Sequence, residues 1–361
     1  MDDAQRTRWL RASGVLQPDR DPAAMTGDEL LAAFSSARTG RLMVTRLIKC
    51  LVHRSWQRIR RGDDPEIEGN VRTFWYREVK PVLSRVAPDL WSRKDPDRAT
   101  SEVLASLIEG KHLLSYADFG FTDENWRNRG IGLLRPRVLV FAEKAAQLRL
   151  LLRLHKRLGV SFVALGGMPS ACTSEFTVAQ LHATMATTEA GVDAPVHLLG
   201  IVDHDPWGDL IARSFASQLR SFGLRIGSEQ HLVQPHRFEP EERLANRIPL
   251  ERHARTEQWL AAGGGIDGAP WGLSVESLPT ERLERIAEQA SLELAPTATP
   301  VTHLVLDRED PRFEEAVTGS GGAARVIVVR QEQVDSAALG LVERGYRLAI
   351  VKSGRIVAVV R

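Results

Sequence analysis

Cysteine and tyrosine are both scarce in this chain of 361 residues: two of the first, Cys50 and Cys172, and three of the second, Tyr76, Tyr116 and Tyr346. Two cysteines cannot build a disulfide scaffold, and their scarcity points to a reducing cytosol. The 10 histidines are scattered, and no zinc-ligand spacing stands out. No apolar run approaches the roughly 20 residues needed to cross a bilayer. The opening MDDAQRTRWL carries no apolar signal-peptide core. The expectation is a cytoplasmic protein, associated with no membrane. There is no GxxxxGK[ST] string, hence no recognisable ATPase module, and neither a repeat nor a low-complexity tract.

What remains is ordinary for a globular protein, with 43% hydrophobic and 26% charged residues and a formal net charge of +2. The length suffices for two or three modest domains. The charge is unevenly spread. From Arg41 to Arg61 seven basic residues (Arg41, Arg46, Lys49, Arg54, Arg58, Arg60, Arg61) meet no acidic one. Leu47, Ile48, Leu51, Val52, Trp56 and Ile59 recur through the same stretch at helical spacing. The pattern predicts an amphipathic helix whose cationic face is either solvated surface or a footprint for phosphates.

Residues 1–40 read as a polar helical segment. In 41–130 the basic helix is followed by VRTFWYREVKPVLSRV, a helix interrupted at Pro81, and then by a break at Pro96 and Asp97. ATSEVLASLIEGKHLL reads as a helix running into a strand, and LLSYADFGFTDENW as a short β-hairpin. Helix, helix, helix and hairpin within about 80 residues is the order of a winged helix. Over 136–294 the pattern changes. RVLVFAE, VSFVALGG and VHLLGIVDHDPWG read as buried strands, separated by amphipathic helices, which implies a parallel sheet covered on both faces. The residues after about 240 read as a helical, loop-rich completion of that α/β domain. APTATP (295–300) reads as a linker. Residues 301–361 read as a small α+β unit with strands at HLVLD, ARVIVV, RLAIV and RIVAVV and a turn at Lys352–Gly354.

Three carboxylates fall at expected strand ends: Glu143 after the first, Asp203 and Asp205 after the third. Acids at i and i+2 of an extended chain point to one side, so both can face one metal. Magnesium prefers carboxylate oxygen and keeps several waters, so two or three acids suffice. Gly208 lets the backbone turn close to them. His204, between the aspartates, reads as solvated.

A glutamate after the first strand, a glycine turn after the second and Asp-x-Asp after the third resemble the Toprim fold. More narrowly, VLVFAEKAAQLRLL, LGGMPSACTSEF, LGIVDHDPWGDLIA and GLSVESLP resemble the A subunit of topoisomerase VI and its relative, the meiotic double-strand-break transesterase. Asp-x-Asp-Pro-aromatic-Gly at 203–208 is the most specific string, and Glu143-Lys144 the second. The resemblance covers roughly 41–290 and implies a winged-helix domain followed by Toprim.

In that family the catalytic tyrosine follows an aromatic residue and has an arginine four positions upstream. Arg72-Thr-Phe-Trp-Tyr76 stands in the corresponding place, and i and i+4 share a helix face. The chain departs from the family pattern at Trp75, where a second tyrosine or phenylalanine is common, and at Thr73, where an acid is. Phe-Trp-Tyr on a helix is otherwise ordinary core packing. The resemblance implies that Tyr76 attacks a DNA phosphate to give a 5′-phosphotyrosyl link, with Arg72 on the phosphate and Mg²⁺ (or Mn²⁺) held by Glu143, Asp203 and Asp205. It further implies a homodimer on double-stranded DNA, each tyrosine working with the other subunit's metal site, a nucleoid-associated location, and either a separate ATP-binding B-type partner or a stand-alone role. Arg54, Arg58 and Arg61, with Arg127 and Arg129 beyond, would grip the DNA backbone. Two other readings remain open: a winged-helix plus Toprim nuclease that hydrolyses DNA without a covalent intermediate, and a DNA-binding module with a vestigial metal site.

Overall fold

The structure is a computed structural model. It describes residues 4, 7, 8, 11, 20–89, 97–110, 112–132, 134–186 and 192–296, and the backbone of four strands within 301–360. Residues 1–3, 5, 6, 9, 10 and 12–19 of the expected N-terminal segment, Pro96, residues 297–300 of the expected linker, the turn at 353–354 and Tyr346 lie outside the described residues. The chain divides into two compact units, one of Met1–Glu124 with Ala171–Glu175, the other of Asn125–Ser170 with Phe176–Arg361.

The first unit is helical. Helix α1 (Gly27–Phe34) opens with a reciprocal capping box between Thr26 and Glu29. The basic stretch forms α2 (Val44–Arg61), which buries Leu47, Ile48, Leu51, Val52 and Trp56 and stops at Gly62 in the left-handed conformation. Helix α3 starts at a capping box between Asn70 and Thr73 and runs through Val71–Phe74, Trp75–Val79 and Lys80–Leu83. The middle segment is a π-turn, closed by the Lys80 N–H donating to the Trp75 carbonyl. The expected interruption at Pro81 therefore takes a different form. Proline lacks an N–H and crowds the carbonyl four residues back, and the helix widens just ahead of it instead of ending. Helix α4 (Arg98–Ala105) also runs into a π-turn, Ser106–Gly110.

The expected hairpin over LLSYADFGFTDENW does not form. That segment holds a 3-10 turn, Ala117–Phe119, and a single bridge between Gly69 and Phe121. Side chains take the N–H groups that a hairpin would have used. Glu175 accepts from the backbone of Tyr116 at 2.9 Å and of Ala117 at 3.3 Å, and Asp118 from that of Ser115 at 2.9 Å. The apolar residues of the segment instead close an aromatic core in which Phe74 meets Phe119 edge-on and Phe119 stacks on Phe121.

The second unit is α/β. Its five-stranded sheet has the order β1 (Arg129–Gly130), β3 (Val160–Ala164), β2 (Arg135–Ala142), β4 (Val196–Ile201), β5 (Ile226–His231), parallel throughout except for β1. Alternation along β2 sends Val138, Val140 and Ala142 into one core with α5 (Leu148–Leu158). Leu139 and Phe141 point into the other core with α6 (Ala171–Met185) and α7 (Pro206–Ser221). The helical completion includes α8 (Pro240–Asn246), α9 (Ala254–Ala261) and α10 (Thr280–Leu294), the last packed on the α5 side. It also contains a ladder that its sequence did not announce, β6 (Arg247–Pro249) against β7 (Trp271–Leu273). The four apolar runs after residue 300 form β8 (Val301–Asp307), β9 (Arg325–Arg330), β10 (Arg347–Lys352) and β11 (Arg355–Val360), an antiparallel sheet of order β11-β10-β8-β9. Among the described residues no helix is long and apolar enough to cross a membrane.

Candidate functional sites

The second unit gathers its acids at the C-terminal edge of the parallel strands, the edge where open α/β sheets bind ligands. Glu143 follows β2, and its backbone is held from both sides. Its N–H donates to Ile201 of β4 at 3.2 Å, and its carbonyl accepts from Gly167 in the turn after β3 at 2.8 Å. The Asp203 N–H reaches the Glu143 carboxylate at 3.4 Å. Half-burial raises the Glu143 pKa, and the nearby charges of Asp203 and Asp205 push it the same way. Asp203 Oδ1 accepts from the Val275 N–H at 2.7 Å, and its Oδ2 pairs with Lys144 Nζ at 3.1 Å. Lys144 also lies 3.5 Å from Glu276. Burial works against its charge, but the bond to Asp203 outweighs that and raises its pKa.

Asp205 has a structural task as well. It is the N-cap of α7, its Oδ1 accepting from the N–H groups of Trp207 at 2.8 Å and Gly208 at 2.7 Å, with Pro206 in the first turn. A Cβ on Gly208 would lie 2.1 Å from the Asp203 carbonyl oxygen, so only glycine lets this helix start against the strand end. His204 is not solvated as expected. It is buried, its Nε2 3.0 Å from the Gly265 carbonyl and its ring edge-on to Trp259. Alternation explains this: a residue between two outward-facing aspartates points into the protein. Burial holds the pKa of His204, and of His231 on β5, below the usual imidazole range, so neither supplies a cation at neutral pH. A pocket of about 150 Å³ opens beside the aspartates, bordered by Asp203, Asp205, Asp209, His231 and Trp259.

Hard carboxylate oxygens that repel one another are the donors a magnesium ion suits, and the helix cap engages only one oxygen of Asp205. Among the described residues no three His, Cys, Asp or Glu side chains are already gathered around one point as metal ligands. Lys144 provides the local positive charge at Asp203.

In the first unit, Phe74 and Trp75 are buried while Tyr76, next in line, is 45% exposed. The two expected aromatic core residues are therefore core, and the third faces water from the π-turn. The Arg72 guanidinium lies 6.0 Å from the Tyr76 ring centre, and Lys80 Nζ lies 4.9 Å from it. The hydrogen bond to Tyr76 raises the Arg72 pKa. Sequence reasoning missed Lys80, although it stands four residues after Tyr76 as Arg72 stands four before. Tyr116 is buried and hydrogen-bonded to Glu109 at 3.3 Å, and burial drives its pKa far up.

The five arginines expected to grip DNA divide. Arg61 is exposed at the end of α2, and Arg54 is half-buried. Arg58 pairs with Asp64 at 2.7 Å; burial opposes its charge, but that partner raises its pKa overall. In the second unit Arg127 is exposed beside Trp126, with its guanidinium 4.8 Å from the ring centre. Arg129 is buried, with Nε donating to Gln180 at 3.1 Å, and offers no surface charge. No known family model matches the chain, and no curated protein matches it by sequence.

Proposed function

We propose that this chain is a magnesium-dependent DNA transesterase of the type IIB topoisomerase kind, with a helical first unit that carries the tyrosine and lacks the hairpin of a winged helix, and a Toprim-like second unit, acting as a homodimer on double-stranded DNA. The observation that carries the reading is the state of Tyr76. Its side chain is 45% exposed, with Arg72 and Lys80 both near its ring, while the two aromatics before it are fully buried.

The chemistry follows from those neighbours. A tyrosine hydroxyl is a useful nucleophile here because the phenolate is also a good leaving group, so the break can be resealed. The Tyr76 oxygen bonds to phosphorus, the bond from phosphorus to the 3′ oxygen breaks, the tyrosine proton is lost, and the 3′ oxygen gains one. The product is a 5′-phosphotyrosyl end, and the reverse steps reseal the strand. Arg72 is suited to the phosphate because its planar fork matches two phosphate oxygens. Glu143, Asp203 and Asp205 would hold Mg²⁺, which would supply electrostatic stabilisation of the leaving oxygen. Exposed Arg61 and Arg127 would hold the DNA backbone without reading sequence.

The test is incubation of the purified protein with supercoiled plasmid and Mg²⁺ or Mn²⁺, followed by a detergent quench and electrophoresis with and without protease. Broken DNA that enters the gel only after protease, and that is lost in both Tyr76→Phe and Asp203→Ala, is the expected result. Protein-free breaks that survive Tyr76→Phe but not Asp203→Ala would replace this mechanism with hydrolysis.

A further inference from the structure

Helix α7 begins at Asp205, and two residues later it carries Trp207, 58% exposed. Tryptophan is rarely left this open. Arg255, in the first turn of α9, lays its guanidinium 4.3 Å from the Trp207 ring centre. Its Nη1 is buried without a hydrogen-bond partner, and the residue makes no ion pair among the described residues. The stack fixes the plane of the guanidinium, whose Nη1 has no acceptor, and the indole keeps open surface. Both are tied to the acidic edge, because the N–H of Trp207 is one of the two that Asp205 caps.

We propose that Trp207 and Arg255 form a clamp for one unstacked nucleotide of a DNA strand, the guanidinium taking the phosphate and the indole taking the base. An arginine fork without an acceptor matches phosphate oxygens, and an exposed indole stacks on any base, since every base has a π face. The substrate class at the acidic edge is then DNA with a base already free of its stack, in a bubble or a distorted segment, in preference to a straight paired duplex. This rests on the part of the proposed function that has the second unit engage DNA at its acidic edge, and it adds a preference which that reading does not contain.

The experiment compares fluorescein-labelled duplexes, one fully paired and one carrying a short unpaired bubble, by anisotropy in EDTA. The proteins are wild type, Trp207→Ala, Trp207→Phe, Arg255→Gln and Arg255→Lys, each checked for an unchanged melting temperature. The wild type is expected to prefer the bubble by roughly tenfold, the range of one stacked base. Trp207→Ala and Arg255→Gln should bind both duplexes alike, while Trp207→Phe and Arg255→Lys keep part of the preference. A wild type that cleaves plasmid yet binds both duplexes equally, or a preference that survives Trp207→Ala and Arg255→Gln, overturns the clamp and leaves the cleavage reading intact. A preference that follows the expected pattern in a protein that cleaves nothing supports the clamp and removes the cleavage reading. Absence of DNA binding overturns both.

Discussion

Glu143 sets the electrostatics of the acidic edge. Its half-burial, with Asp203 and Asp205 nearby, raises its pKa above that of the unfolded chain. For a raised carboxyl the associated stability is complete below the unfolded pKa, near 4, and drains away as pH rises through the folded value. At neutral pH the ionised group is therefore a liability that a divalent cation would relieve. Glu143→Gln is expected to raise the melting temperature of the metal-free protein by roughly 1–3 °C at pH 7, the scale of a fraction of a kcal/mol in a domain this size, and to change it little at pH 4. Mg²⁺ should then stabilise the wild type at pH 7 and leave the variant nearly unmoved. Equal Mg²⁺ responses in scanning fluorimetry would mean that Glu143 is no ligand. Among the described residues the other tyrosine, Tyr116, is locked in the core, which leaves Tyr76 as the candidate nucleophile.

At the level of elements, α7 depends on Asp205 in two ways that substitution can separate. Asparagine caps a helix about as well as aspartate, whereas alanine does not. Asp205→Asn should keep stability within about 0.5 kcal/mol by urea unfolding and still lose plasmid cleavage, while Asp205→Ala should lose cleavage and about 1 kcal/mol besides. Full cleavage by Asp205→Asn would reduce Asp205 to a cap. The elements that sequence revealed best are those with a strong period. The apolar strands β2, β3 and β4 and the helices between them follow directly from runs such as RVLVFAE and KAAQLRLLLRLHKRLG. Strand β5 was missed because its side chains, Ile226–His231, are mixed and largely polar, as suits a sheet edge. The hairpin expected at LLSYADFGFTDENW failed because its alternation serves an aromatic core, and because Glu175, more than 50 residues away in sequence, claims its backbone N–H groups. No local pattern announces such a partner.

For the whole molecule, the α/β unit with its mostly parallel sheet was legible, and so was the placing of Glu143, Asp203 and Asp205 at strand ends. Their separate duties were not. Asp203 bonded to Val275 and His204 turned toward Gly265 and Trp259 depend on the chain returning from residues 259–276, whereas Lys144 reaches Asp203 from the end of the first strand and Asp205 caps its own helix. The exposure of Tyr76 was likewise hidden in a run of three aromatics, because it depends on the π-turn ahead of Pro81. The most direct test of the central claim is to quench the reaction with detergent, digest the DNA with nuclease and the protein with protease, and map the modified peptide by mass spectrometry. The account predicts a nucleotide joined through its 5′ phosphate to Tyr76, absent from Asp203→Ala. An adduct on Tyr116 or Tyr346, or cleaved DNA with free 5′ phosphates and an unmodified Tyr76 peptide, would contradict it.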